Sequence, residues 1–299
     1  MKLQHLILLT SLVLACTRAE SPPTPAKTLS WSELSDMPLP PKGERLAYGE
    51  EPQQFGELRV PKGDGPFPII VLVHGGCWLA DFDYVYTTRL AAWFSDHGVA
   101  TWTIEYRRLG DKGGGWPGTF LDVARATDFV RQLALTHPID PKRVFTAGHS
   151  SGGHLALWLA SRSKLPAESE LFVKDPLPIH GVLGLAAITD LAQYRNGPPG
   201  SCHSSVEHLL GGPPDKFPKR YAETSPNERL PLGVPQVFIQ GDHDPIVDPS
   251  SVGAYVEAAK RAGDEAKILP LSGAGHFEAS VPLPQNEAQF TEALRLLLR

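Results

Sequence analysis

A serine becomes a nucleophile only when a base takes its proton, a carboxylate orients that base and backbone N–H groups meet the oxyanion that forms. The sequence holds a stretch for each part. In Gly148-His149-Ser150-Ser151-Gly152 a serine stands between glycines where an apolar run, "RVFTA", gives way to a helix-like pattern, "HLALWLA". Such a stretch suits a strand-to-helix turn tight enough to leave Ser150 exposed at its tip. His74-Gly75-Gly76-Cys77-Trp78 directly follows the apolar run "PIIVLV", and a glycine pair there can turn backbone N–H groups inward. Gly75 and Gly76 are therefore the expected oxyanion donors, with the N–H of Ser151 at the start of the helix as the second arm. Downstream, "GDHDPIVD" and then "GAGHFE" each follow a β-rich run, so the order is serine, aspartate, histidine, with His276 as the base.

Three aspartates compete to orient His276. Asp242 comes almost directly off its strand, where capping the turn is the simpler role. Asp248 precedes Pro249 at a helix start, where it reads as an N-cap. Asp244 is left as the expected acid. The remaining polar residues near these motifs are expected to be structural. His149 and His154 should support the turn and helix packing, and His74 should brace the oxyanion loop. Glu105-Tyr106-Arg107-Arg108 should contain a buried ion pair, and "GGGWPGTF" a loop with a Pro-led helix start.

Strand ends that hold such residues in place need a sheet. "ERLAYGE" and "QQFGELRVP" alternate like half-buried strands, while "PIIVLVHGG" is a continuous apolar run, as a strand buried on both faces should be. Further strands are expected in "VATWTIEY", "RVFTAG", "IHGVLGLAAI", "PQVFIQG" and "AKILPLSG", and helices over 83–97, 117–136, from the serine to about 163, 250–262 and on to Leu298. This alternation predicts an α/β fold with a mostly parallel central sheet and helices on both faces, its site at the carboxyl ends of the strands. Residues 190–233 are Pro- and Gly-rich and stand where a lid-like insertion would line a substrate pocket.

With 41% hydrophobic and 20% charged residues among 299, the chain can bury one sizeable core. A net charge of −5 without a basic run leaves no electrostatic footprint for nucleic acid. Lys2 followed by "LQHLILLTSLVLAC" has the shape of a secretory h-region, shorter than the ~20 residues needed to cross a bilayer. Val13-Leu14-Ala15-Cys16 resembles the lipobox of bacterial lipoproteins, in which the cysteine is acylated. Residues 1–16 are thus expected to be a signal, 17–44 a flexible linker and 45–299 the folded domain. The expected location is the bacterial periplasm, or the membrane as an anchored lipoprotein, or else outside the cell. Any membrane contact would be through lipid on Cys16.

The set HGGCW, EYRR, GGGWPGTFLDV, GHSSGGHLAL, GDHDPIVD and GAGHFE resembles the α/β-hydrolase superfamily, in the branch of esterase/lipase-like proteins, feruloyl-esterase-like domains and kynurenine formamidases. The resemblance covers roughly residues 45–299 and implies a serine hydrolase with Ser150 as nucleophile, His276 as base and Asp244 as orienting acid, with no cofactor and no metal. Gly241, Asp244 and Val247 match the family's Gly-x-x-Asp-x-x-Val pattern. The implied substrate is a small-molecule ester or an acylated carbohydrate. Formamidase chemistry is the alternative, disfavoured by the export signal, and a binding module would require loss of the triad types that are present here. Cys77 in the oxyanion loop and Cys202 in the insertion could form a disulfide in an oxidising compartment, but sequence separation does not decide whether they meet.

Overall fold

The computed structural model describes residues 28–299; the expected signal stretch and Cys16 lie outside the described residues. Eight strands make one sheet: β1 (Glu44–Ala47), β2 (Phe55–Arg59), β3 (Phe67–Val73), β4 (Ala100–Ile104), β5 (Ile139–His149), β6 (Val182–Leu185), β7 (Gln236–Gly241) and β8 (Ala266–Leu271). Their spatial order is β1-β2-β4-β3-β5-β6-β7-β8. The pairs β1–β2 and β2–β4 run antiparallel, and all others are parallel.

The helices are α1 (Trp31–Asp36), α2 (Thr88–Asp96), α3 (Gly118–Asp128), α4 (Val130–Leu133), α5 (Ser151–Ser161), α6 (Leu191–Tyr194), α7 (Ser205–Leu210), α8 (Pro218–Thr224), α9 (Pro249–Arg261) and α10 (Glu287–Leu297). Alternation along the strands divides the core in two. Ile69, Val71 and Val73 of β3 join Phe120 of α3, Leu155 of α5 and Tyr255 of α9 on one face of the sheet. Ile70 and Leu72 join Phe94 of α2 and Phe290 of α10 on the other. Side chains of successive strand residues point to opposite faces, so a strand covered on both must be apolar throughout, as "PIIVLV" is.

Some expectations need correction. Residues 28–44 are not a bare linker: Ser30 and Glu33 form a reciprocal capping box that starts α1, and Leu34 is fully buried. The predicted helix over 117–136 is divided at Phe129 into α3 and α4. Of "IHGVLGLAAI" only Val182–Leu185 pairs in the sheet, because Ala186 takes φ 45° and turns the chain away. The 190–233 insertion carries α6, α7 and α8, and part of it covers α5: Trp158 Nε1 donates to the Glu223 carbonyl at 3.1 Å and His154 Nε2 to that of Thr224 at 3.0 Å. That cover is why all eleven residues of α5 are buried and why its sequence is apolar on every side.

Candidate active site

Ser150 lies between β5 and α5 with φ 57° and ψ −121°, a conformation that L-residues rarely adopt and that costs about 1–3 kcal/mol. Neighbouring backbone holds it there. Its N–H donates to the Leu185 carbonyl at 2.8 Å, and its own carbonyl accepts from His154 N at 3.2 Å and Ile188 N at 3.3 Å. Gly152 is required for close approach, since a Cβ on it would lie 2.2 Å from the Val73 carbonyl oxygen and 2.4 Å from that of His74. The elbow is therefore wedged against the end of β3, where the oxyanion loop begins.

His276 follows β8 and Asp244 follows β7, so the parallel pairing of those strands brings the two loops together. His243 N reaches the Ala274 carbonyl at 2.9 Å, and His276 Nδ1 donates to Asp244 Oδ2 at 2.8 Å. Asp244 Oδ1 accepts the N–H groups of Ile246 at 2.8 Å and Val247 at 2.9 Å, and Gln240 Nε2 adds a bond to Oδ2 at 3.1 Å. Burial alone would raise the Asp244 pKa, but the His276 partner and the two backbone donors outweigh it and hold the carboxyl below its ordinary value. The other aspartates do what their positions predicted: Asp242 accepts from Gly273 N at 2.7 Å, and Asp248 caps α9 through Ser250 N at 2.8 Å.

The oxyanion loop departs from expectation at one residue. The Gly75 N–H donates to the Tyr86 hydroxyl at 2.7 Å, so it is already taken, and of the glycine pair only Gly76 keeps its N–H as a candidate donor. Gly76, at φ +104°, lines the cavity onto which Ser150 opens, and a Cβ there would meet Phe82 Cβ at 2.2 Å. Ser151 is fully buried, and its N–H is among those left without an intrahelical partner at the start of α5. Its hydroxyl accepts from Trp78 N at 3.4 Å, tying the loop to the helix. Cys77 and Trp78 both take φ 58°, and a Cys77–Cys202 disulfide with Cα atoms 5.0 Å apart fastens this turn to the insertion.

The flanking polar residues brace the site as expected. His74 bonds Glu105 through Nε2 at 2.9 Å and stacks on Tyr106 at 4.5 Å, Glu105 pairs with Arg108 at 3.3 Å, and Arg107 holds Asp122. Tyr86 was not singled out by its sequence position, yet it links three parts of the site. It takes the Gly75 N–H and donates its own proton to His149 Nδ1 at 3.0 Å, while His149 Nε2 donates to the His276 carbonyl at 3.1 Å. Both ring nitrogens are satisfied by a neutral imidazole, and burial followed by the nearby His276 lowers the His149 pKa to about 3.

Ser150, Gly76, Cys77, His149 and His276 open on one apolar cavity of about 260 Å³, completed by Trp31, Phe82, Tyr86, Ile246, Phe277 and Cys202. A second, more polar cavity of about 210 Å³ includes Thr189, Asp190, Tyr194 and Asn196. The Cys202–Ser204 turn contributes to both, Cys202 to the apolar one and His203 to the polar one. Trp31 was missed because the Pro-rich residues before it resemble a tether, although Ser30-x-x-Glu33 is a readable helix start.

A serine at a strained strand-to-helix elbow, with an aspartate and the histidine bonded to it just past β7 and β8 of a mostly parallel sheet, is the arrangement of an α/β-hydrolase. The chain belongs to the BD-FAE family, whose model matches residues 58–256. It is similar to an isoprenylcysteine alpha-carbonyl methylesterase of Arabidopsis thaliana, 22% identical over 78% of this chain and 56% of that protein. It is also similar to a versiconal hemiacetal acetate esterase of Dothistroma septosporum, 25% identical over 78% and 73%. The chain spans about half the length of several curated relatives that it matches. Among solved structures, a truncated carbohydrate esterase from gut microbiota superposes with a TM-score of 0.73 at 20% identity, covering 87% of this chain and 98% of that one. Esterase B of Lactobacillus rhamnosis superposes with 0.74 at 17%, covering 88% of each. These two share the fold.

Proposed function

We propose that the chain is an exported serine esterase that cleaves carboxylic esters of small molecules or acylated carbohydrate through an acyl-enzyme. The observation that carries this reading is the convergence of Ser150, Gly76 and His276 on one apolar cavity, with His276 Nδ1 held by Asp244. The Asp244 bond keeps the proton on Nδ1, which leaves Nε2 free to take the Ser150 hydroxyl proton as Oγ attacks the ester carbonyl carbon. The N–H groups of Gly76 and Ser151 meet the developing oxyanion. His276 then returns the proton to the departing alkoxide, and a water deprotonated by the same Nε2 releases the acid and regenerates the serine. The named activities of the two relatives, both esterases, support this choice of bond.

The Lys2-led apolar stretch supports export, and Cys16 is the proposed lipidation site. The Cys77–Cys202 bridge is consistent with an oxidising compartment. The test is a panel of chromogenic esters, acetylated xylan, feruloyl esters and N-formylkynurenine, offered to the wild type and to Ser150→Ala. Ester turnover that falls roughly 10⁶-fold in Ser150→Ala is the expected result. Preference for the formyl amide over every ester would replace this reading with the formamidase one.

A further inference from the structure

We infer that Trp31, carried on the segment ahead of the main domain, is the wall that limits the size of acyl group reaching Ser150; this rests on the esterase reading above. The acyl carbon must bond to Ser150 Oγ with its oxygen toward Gly76, and both residues line this cavity, which is apolar as an acyl chain requires. Around that cavity the domain supplies Phe82, Tyr86 and Phe277, and Trp31 closes the set. Its ring lies 5.2 Å from Phe82, 5.3 Å from Tyr86 and 5.7 Å from Phe277, measured between centroids. Among the described residues, Trp31 is the one residue of the N-terminal segment that lines this space.

The segment is docked on both sides of Trp31. Upstream, the Leu29 N–H donates to Glu278 Oε1, and Oε2 of the same carboxylate accepts from Gly275 N at 3.0 Å, beside His276. Thr28 fills the space facing Gly275, where a built Cβ would lie 2.9 Å from the Thr28 Cβ. Downstream, Leu34 is fully buried against Tyr86 and Val281, and the Arg89 guanidinium holds the carbonyls of Met37 and Pro38. Trp31 itself remains 36% exposed. Leu29, Leu34 and the Arg89 contacts hold the segment independently of the ring, so its removal opens the cavity without dismantling the docked segment.

The experiment uses the full mature chain with p-nitrophenyl acetate, butyrate and octanoate, and compares wild type, Trp31→Ala, Trp31→Phe and Asp36→Ala. Trp31→Ala should raise the octanoate-to-acetate ratio of kcat/KM by about tenfold or more, since each methylene admitted to or refused by an apolar pocket is worth at least that order. Trp31→Phe should fall between the two. Asp36→Ala, exposed at the end of the same helix, should keep the wild-type ratio. An unchanged ratio in a Trp31→Ala protein that melts like wild type overturns the assignment. So does a shift confined to a series of acetates with varied alcohols, which would put the leaving group in this cavity. A wild type inactive on every ester would instead overturn the esterase reading itself.

Discussion

Replacing Asp244 by Asn tests whether this carboxylate sets the proton position on His276. The site leaves the new amide little choice of orientation. The N–H groups of Ile246 and Val247, 2.8 and 2.9 Å from Oδ1, require an acceptor there, so the amide oxygen must take that place and the NH₂ must occupy the Oδ2 place. That NH₂ then faces His276 Nδ1, 2.8 Å away in the wild type, and Nδ1 must become an acceptor. The ring proton moves to Nε2, which can no longer receive the Ser150 proton. Gln240 Nε2 loses its bond to the Oδ2 place but keeps the Gly241 carbonyl, 3.1 Å away, as an acceptor. The fold should therefore survive while the tautomer is wrong, an effect on the order of 10⁴ in kcat, or about 5.5 kcal/mol. Steady-state kinetics on p-nitrophenyl acetate, with melts of each protein, make the measurement. Asp248→Asn should cost little, because Asn caps a helix about as well as Asp. Turnover of Asp244→Asn within tenfold of wild type would refute the reasoning.

Two further perturbations probe the supports of the site. His149 and His154 are held neutral, at pKa values of about 3 and about 4 against an ordinary 6.5, in each case first by burial. In the unfolded chain they take up protons that the native state refuses, so their contribution is fully present above pH 6.5 and is lost as pH falls toward 4. Together they should give stability a slope of up to about 2.7 kcal/mol per pH unit in that window. Urea melts of His154→Gln, whose amide can still donate to Thr224, should show about half of that slope removed, and an unchanged slope counts against the account. The Cys77–Cys202 bridge spans 125 residues of chain, and the paired Cys77→Ser/Cys202→Ser variant should lose about 2–5 kcal/mol in urea. A wild-type urea midpoint that is the same with and without reductant would show that the bridge contributes no such stability.

The strand-by-strand plan and the elbow could be read because each is written locally. A glycine-flanked serine after an apolar run needs no distant information, and Asp244 could be separated from Asp242 and Asp248 by their positions relative to strand and helix ends. Gly75 and Gly76 are indistinguishable in sequence. What separates them is the Tyr86 hydroxyl, delivered by an element that starts several residues beyond the loop and takes only the first amide. Cys77 and Cys202 depend in the same way on where the insertion lands. The Trp31 helix was partly legible: its capping box is local, but that it would turn back onto Phe82 and Phe277 depends on Glu278, far away in the chain.

The Glu278 carboxylate, which bonds Leu29 and Gly275 at once, also fixes where the start of the described chain lies: beside His276, not on a remote surface. This sets a working height. With lipid on Cys16 as proposed, covalent geometry at about 3.3–3.6 Å per residue lets the stretch from Cys16 to Thr28 span at most about 40 Å. The base would then stay within roughly one protein diameter of the bilayer surface, confined to a thin layer above it. Esters displayed in that layer would meet the enzyme at high local concentration, whereas those on material farther out would have to be shed before they could be cleaved.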